Sequence, residues 1–187
     1  MKAGMPMPPL ALQDEVSLSL SLHISAQTRK DLAAEGIDYP AHPGEAVLQE
    51  VCGVRGRVGK KSGQGLYDYQ GKDKTLWPGL LEIYPPKPEQ PSQQDIIDRL
   101  MFIQANEAAR CYEEKVVRSV SDTNIGSIFG WGFAPHQGGA LQFINAMGAP
   151  AFVARSRELA QRHGARFEPA AIVVKMAQEG GRFEDVL

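Results

Sequence analysis

From Leu10 to Ile24 the apolar residues fall at positions 10, 12, 16, 18, 20, 22 and 24, so the later part alternates. Taken alone, Ser17 to Ile24 has the period of a half-buried strand. The Pro6-x-Pro8-Pro9 run ahead of it and the acidic pair Asp14-Glu15 instead suit a helix start, with negative charge at the positive end. A helix is therefore predicted over this stretch. Ala26 to Gly36 predicts a second helix stopped by Gly36, and Pro43 to Val51 a third, with Val47, Leu48 and Val51 facing inward. Six glycines punctuate Gly53 to Gly71, and five prolines make Pro78 to Pro91 read as an extended linker. Ser92 then caps a long helix running to about Lys115, whose Ile96, Leu100, Ile103 and Ala108 belong to a broad inward face. Pro150 opens a helix that Gly164 ends just after Arg162-His163, and Pro169 opens a last one closed by Gly180-Gly181. Strong strand signals are absent, so the expected class is all-α. The expected domains are 1–77 and 92–187, joined by the proline-rich segment 78–91.

Composition narrows the function more than the fold. The chain has 187 residues, 43% of them hydrophobic and 22% charged, enough to bury a core without metals or disulfides. A net charge of −2 without a basic stripe argues against a nucleic-acid partner. Cys52 and Cys111 are the two cysteines, too far apart in sequence for a C-x-x-C site, which points to a reducing, cytoplasmic setting. No apolar run has the length of a membrane span, and Met1 to Leu12 lacks the form of a signal peptide. The four histidines, 23, 42, 136 and 163, show no metal-ligand spacing.

The chain also repeats itself. Gly4-Met5-Pro6 through Leu12 and Asp14 matches Gly132-Phe133-Ala134-Pro135 through Leu141 and Asn145: a glycine, a large apolar residue, a proline turn, then a small-apolar helix. Asp14 and Asn145 lie 131 positions apart and the two glycines 128, so the second copy carries three extra residues. Gly65-Leu66-Tyr67 and Gly181-Arg182-Phe183 close the two copies alike. The helix from Ser92 to Lys115 precedes the second copy and has no counterpart before the first. The expectation is a first repeat truncated at its N-terminus.

Gly59-Lys60-Lys61-Ser62-Gly63-Gln64-Gly65-Leu66-Tyr67-Asp68-Tyr69 resembles the Gly-x-Lys-Thr/Ser-Gly-x-Gly-Phe/Tyr-Tyr signature of 3-hydroxyacyl-CoA dehydrogenase C-terminal domains. Gly4 to Pro9 resembles the Gly-x-Pro-Met-Gly-Pro turn of the same domains. Ser121 to Ile128, with Gly130-x-Gly132-Phe133-Ala134-Pro135 and Gly138-Gly139, is similar to the second such domain of the multifunctional fatty-acid β-oxidation enzymes. Pro8 and Ser17 depart from the pattern, each standing where the family has glycine. The resemblance implies two 6-phosphogluconate-dehydrogenase-C-terminal-like helical domains in tandem. It also implies that the catalytic His-Glu pair and the NAD site belong to a dinucleotide-binding domain upstream. No Gly-x-Gly-x-x-Gly fingerprint stands here, since Gly63-x-Gly65 leads to Asp68.

No catalytic, cofactor-binding or metal-binding residue is therefore expected in this chain, and the chain alone is expected to be inactive. In the family the proline turn lies near the acyl chain of the substrate, which makes Met5, Met7, Pro9 and Leu10 the candidate substrate contacts. Expected partners are acyl-CoA and the dinucleotide domain, or self-association through exposed apolar surface. An independent helical module that binds acyl-CoA or a partner is the alternative. Arg55, Arg57, Lys60 and Lys61 read as the solvated basic edge of a turn-rich connection rather than a phosphate loop, because the Walker spacing fails. Asp122, Asn124 and Ser127 read as groups that cap and orient the glycine-rich loop after them.

Overall fold

A computed structural model describes residues 2–40 and 42–184. The chain is mostly helical and divides into two compact units, Met7–Gln90 and Met1–Pro6 with Pro91–Leu187.

The unit Met7–Gln90 starts with α1 (Pro9–Val16) and α2 (Leu18–Ala34). The single helix expected from Leu10 to Ile24 is broken at Ser17, and no second break occurs at Ala26. Ser17 takes φ +79° and ψ 131°, a conformation that belongs to glycine, so the chain turns a corner there. What holds Ser17 is the strand of chain beside it: Leu18 N–H donates to Val58 O at 2.9 Å, and Ser17 Oγ reaches the same carbonyl at 3.3 Å. Ser17→Gly is expected to stabilise this unit by about 1 kcal/mol, because relief of the backbone strain outweighs loss of the hydroxyl's bonds to Val58 O at 3.3 Å and Ser19 Oγ at 2.7 Å. Urea midpoints of the two proteins would check the sign, and a destabilised variant would refute it.

Next come α3 (Pro43–Leu48) and a π-helical turn (Gln49–Val54), so the helix expected over Pro43–Val51 changes its winding at Gln49. The chain then forms β1 (Tyr67–Gln70) and β2 (Asp73–Leu76), an antiparallel pair in which Tyr67 faces Leu76 and Gln70 faces Asp73. This hairpin corrects the all-α reading. Its turn is the two-residue Gly71-Lys72, with φ +62° at Gly71, a Gly-x turn that suits the twist of paired strands. The supposed linker also begins as a helix, α4 (Pro78–Ile83), with proline at its first position. The small core of this unit is Leu18, Val51 and Leu66, packed by Val47, Leu48, Trp77 and Leu80.

The second unit is built on α5 (Gln93–Glu113), whose first turn is capped by Ser92 Oγ accepting from Asp95 N–H at 3.1 Å. α6 (Val120–Trp131), α7 (Ala140–Met147), α8 (Ala149–His163) and α9 (Ala171–Glu179) follow. Gly164 ends α8, as expected, and Gly180 ends α9. The core is aromatic: Phe102 stacks on Phe152 at 4.5 Å and meets Phe143 edge-on at 5.5 Å. Asn124 and Ser127 do cap the next element. Asn124 Oδ1 accepts from Leu141 and Gln142 N–H, both at 3.0 Å, and Ser127 Oγ accepts from Ala140 N–H at 3.0 Å.

Two short helices share a local geometry. α1 and α7 are each eight residues long and each is followed by one residue of positive φ, Ser17 (79°, 131°) and Gly148 (85°, 135°). Asp14 on α1 accepts from Leu66 and Tyr67 N–H at 2.7 and 2.9 Å. Asn145, its counterpart on α7, accepts from Phe183 N–H at 2.9 Å and donates to Phe183 O at 2.9 Å. In both units a polar side chain on the short helix holds the backbone at the glycine–aromatic segment that closes the copy.

Candidate functional site

The Met7–Gln90 unit contains an open cleft of about 550 Å³. α1 contributes Pro9, Leu10 and Gln13 because its N-terminal turn follows Pro8, which is extended at ψ 142° and makes no side-chain cap. α3 contributes Val47 and Leu48, which stand on the small core, and Leu66 and Leu80 complete an apolar floor. The rim is polar. Tyr39 hydroxyl donates to Glu45 Oε1, and Arg29 pairs with Glu45 Oε2 at 2.9 Å while lying 4.7 Å over the Tyr39 ring. The Tyr39 hydroxyl, then Ser25 and Arg29, hold the Glu45 carboxyl below its usual range against the opposing pull of burial. Gln13 Nε2 donates to Ser21 Oγ at 2.6 Å, and His42 Nδ1 accepts from Gly44 N–H at 3.0 Å.

In this arrangement Glu45 is engaged as an ionised acceptor by the Tyr39 hydroxyl, Ser25 and Arg29. Among the described residues no cluster of three metal-ligating side chains occurs. No helix among them is long and apolar enough to cross a membrane.

Of the four expected substrate contacts, Pro9 and Leu10 line the cleft, with Leu10 42% exposed. Met7 is half-buried and outside its lining, and Met5 belongs to the other unit, where its sulfur lies 3.8 Å from Gln104 Nε2. The basic edge also needs correcting. Arg57 is 7% exposed and donates to Gly65 O at 2.7 Å, pairs with Asp68, and lies 4.3 Å over the Trp77 ring. It is a buried clamp for the hairpin. Arg55 pairs with Glu50 and Lys60 with Glu15, which leaves Lys61 as the exposed cation of that edge that makes no ion pair among the described residues. Tyr39 and Glu45 escaped the sequence reading because nothing in their spacing announces a rim. His136 lies exposed on the short 3-10 turn before Gly138, against Gly4, and is not part of this cleft.

The Met7–Gln90 unit is thus a mostly helical unit with an open, apolar-floored cleft. The family model described as 3-hydroxyacyl-CoA dehydrogenase, C-terminal domain, matches residues 1–69. Fatty acid oxidation complex subunit alpha of Vibrio vulnificus (strain CMCP6) is 34% identical over 97% of the chain, and so is that of Shewanella halifaxensis (strain HAW-EB4). The chain spans 25% of the length of each of these relatives. The crystal structure of 3-hydroxybutyryl-CoA dehydrogenase from Escherichia coli K12 shares the fold, with a TM-score of 0.63 at 18% identity. That match covers 94% of this chain and 52% of the other.

Proposed function

We propose that this chain is the helical part of a 3-hydroxyacyl-CoA dehydrogenase of fatty-acid oxidation, and that it positions the acyl chain of the substrate. The cleft carries the reading. It lies within the unit that the family match covers for the most part, its floor is apolar, and Pro9 and Leu10 stand on its wall. An apolar cleft of about 550 Å³ takes an alkyl chain by burying its methylenes, at about 0.8 kcal/mol each. The unit then contributes to rate by holding the reacting carbon in place. Residues 1–77 and 92–187 act in this reading as two tandem domains of one ancestry. The matched helix–corner–helix geometry around Ser17 and Gly148 supports that.

NAD is the cofactor of such an enzyme, and the residues described here do not fit it. Gly63-x-Gly65 runs into a β-hairpin, whereas a dinucleotide needs a strand, a glycine turn and then a helix N-terminus. Hydride transfer is therefore assigned to a dinucleotide-binding domain, with acyl-CoA as the shared ligand and a cytoplasmic setting. The alternative, an independent acyl-CoA-binding module, is favoured by the same cleft and separated by affinity.

Calorimetric titration with acetoacetyl-CoA and with longer 3-ketoacyl-CoA esters, without nicotinamide cofactor, tests the cleft. Affinity should rise with chain length, and Leu10→Asp, on an exposed position, should weaken the long esters about tenfold. Affinity independent of chain length, or unchanged by Leu10→Asp, would remove the cleft from the acyl site. Tight binding by this chain alone would favour the independent module.

A further inference from the structure

A second cleft, of about 770 Å³, lies in the other unit and has no part in the acyl reading. One wall is the end of α5 and the loop after it, with Tyr112, Lys115, Val117 and Arg118; the other is the start of α9, with Ile172 and Lys175. Three cations meet one acid there, Glu113, in a chain whose net charge is −2. Among the described residues these cations make few ion pairs. Lys175 reaches Glu179 only at 4.0 Å with both side chains more than 60% exposed, a contact of little worth. Lys115 and Arg118 make no ion pair among the described residues.

Two backbone features reinforce the positive field. α9 is capped by Ala170 without a side-chain bond, so the N–H groups of Ala171 and Ile172 point out of its positive end without a partner among the described residues. The negative end of α5 is meanwhile satisfied by its own turn. Glu114 N–H donates to Arg110 O at 2.8 Å, Lys115 N–H to Tyr112 O at 3.1 Å and Val116 N–H to Cys111 O at 2.9 Å. Lys115 occupies the left-handed position of that turn, φ +61°, where glycine fits with least strain. The apolar side of the cleft is ordered as well, since Tyr112 stands edge-on to Phe183 at 5.6 Å.

We propose that this cleft binds an organic phosphate. The phosphate meets Lys115, Arg118 and Lys175 and the free N–H groups of α9, while its ring or alkyl body lies on Tyr112 and Ile172. A single carboxylate would leave most of this positive charge uncompensated, whereas a diphosphate matches it. The proposal stands apart from the acyl cleft, which lies in the other unit.

The test is calorimetry and amide NMR with ADP and with inorganic pyrophosphate. ADP should saturate with a Kd of roughly 0.1–1 mM and shift the amide signals of Ala171 and Ile172. Pyrophosphate, lacking a body, should bind about fivefold more weakly. Lys115→Glu with Lys175→Glu should weaken ADP about tenfold or more, and Lys175→Gln alone, on a side chain 70% exposed, about threefold. Leu10→Asp should leave ADP binding unchanged. Absence of saturable binding, amide shifts confined to other residues, or undiminished affinity in both lysine variants would overturn the proposal. Equal affinity for pyrophosphate and ADP would overturn the part played by Tyr112 and Ile172.

Discussion

Asp14→Ala is expected to cost about 3–5 kcal/mol and to leave the Met7–Gln90 unit largely unfolded under native conditions. Asp14 is 1% exposed, and its carboxylate accepts from Leu66 N–H, Tyr67 N–H and the Tyr69 hydroxyl at 2.7, 2.9 and 2.9 Å. Alanine strands all three donors where water has little access, and each orphaned donor costs about 1–3 kcal/mol. A small domain has only about 5–15 kcal/mol in hand. The same carboxylate, with burial as the larger cause, raises the Tyr69 hydroxyl far above the ordinary phenol range. Asp14→Asn should fall between wild type and alanine, at about 2 kcal/mol, because the amide keeps one acceptor and turns N–H groups toward the Tyr67 N–H and Tyr69 hydroxyl. Of the two tryptophans, Trp77 reports on this unit, so urea unfolding followed by fluorescence in a Trp131→Phe background reads the effect directly. A loss below about 1 kcal/mol for the alanine variant would show that the hub does not hold the hairpin.

Phe102→Ala should destabilise the other unit by about 3–5 kcal/mol. The ring is fully buried, stacked on Phe152 with an interplanar angle of 7° and edge-on to Phe143 at 89°. Its removal takes apolar surface from the core and leaves a cavity that Phe152, Leu141 and Ile144, themselves at 0% exposure, are too closely packed to fill. Phe102→Leu keeps most of the volume and should cost about half as much. Thermal unfolding with Trp131 as the probe, in a Trp77→Phe background, separates this unit from its neighbour. Equal losses for alanine and leucine would mean that the ring contacts, rather than the cavity, set the cost.

Most of the helices were legible because their signals are local. Ser92 caps α5, and Gly164 and Gly180 end α8 and α9, since a cap or a glycine acts on the residues beside it. Asp14 and Asn145, set in similar stretches of sequence, each accept from the backbone of a glycine–aromatic segment. The hairpin was not read, although Gly71-Lys72 between Tyr69 and Lys74 is a fair turn signal, because two four-residue strands are too short for periodicity to register. Of the cleft proposed to take the acyl chain, the sequence offered Pro9 and Leu10 through resemblance, and neither Tyr39 nor Glu45.

The sequence by itself determined where most of the helices lie and which family the motifs resemble. Tertiary structure decided the rest. Ser17 becomes a corner because Val58, 41 residues away, accepts its hydroxyl. Arg57 turns from a surface cation into a clamp because Trp77 and Asp68 close over it. Asp14 becomes a hub because the hairpin returns to it from 52 to 55 residues further on. Spacing along a chain reports what a residue does to its neighbours within a turn or two. Contacts made across tens of residues depend on how the whole unit packs, and they determine which charges are buried and which clefts stay open.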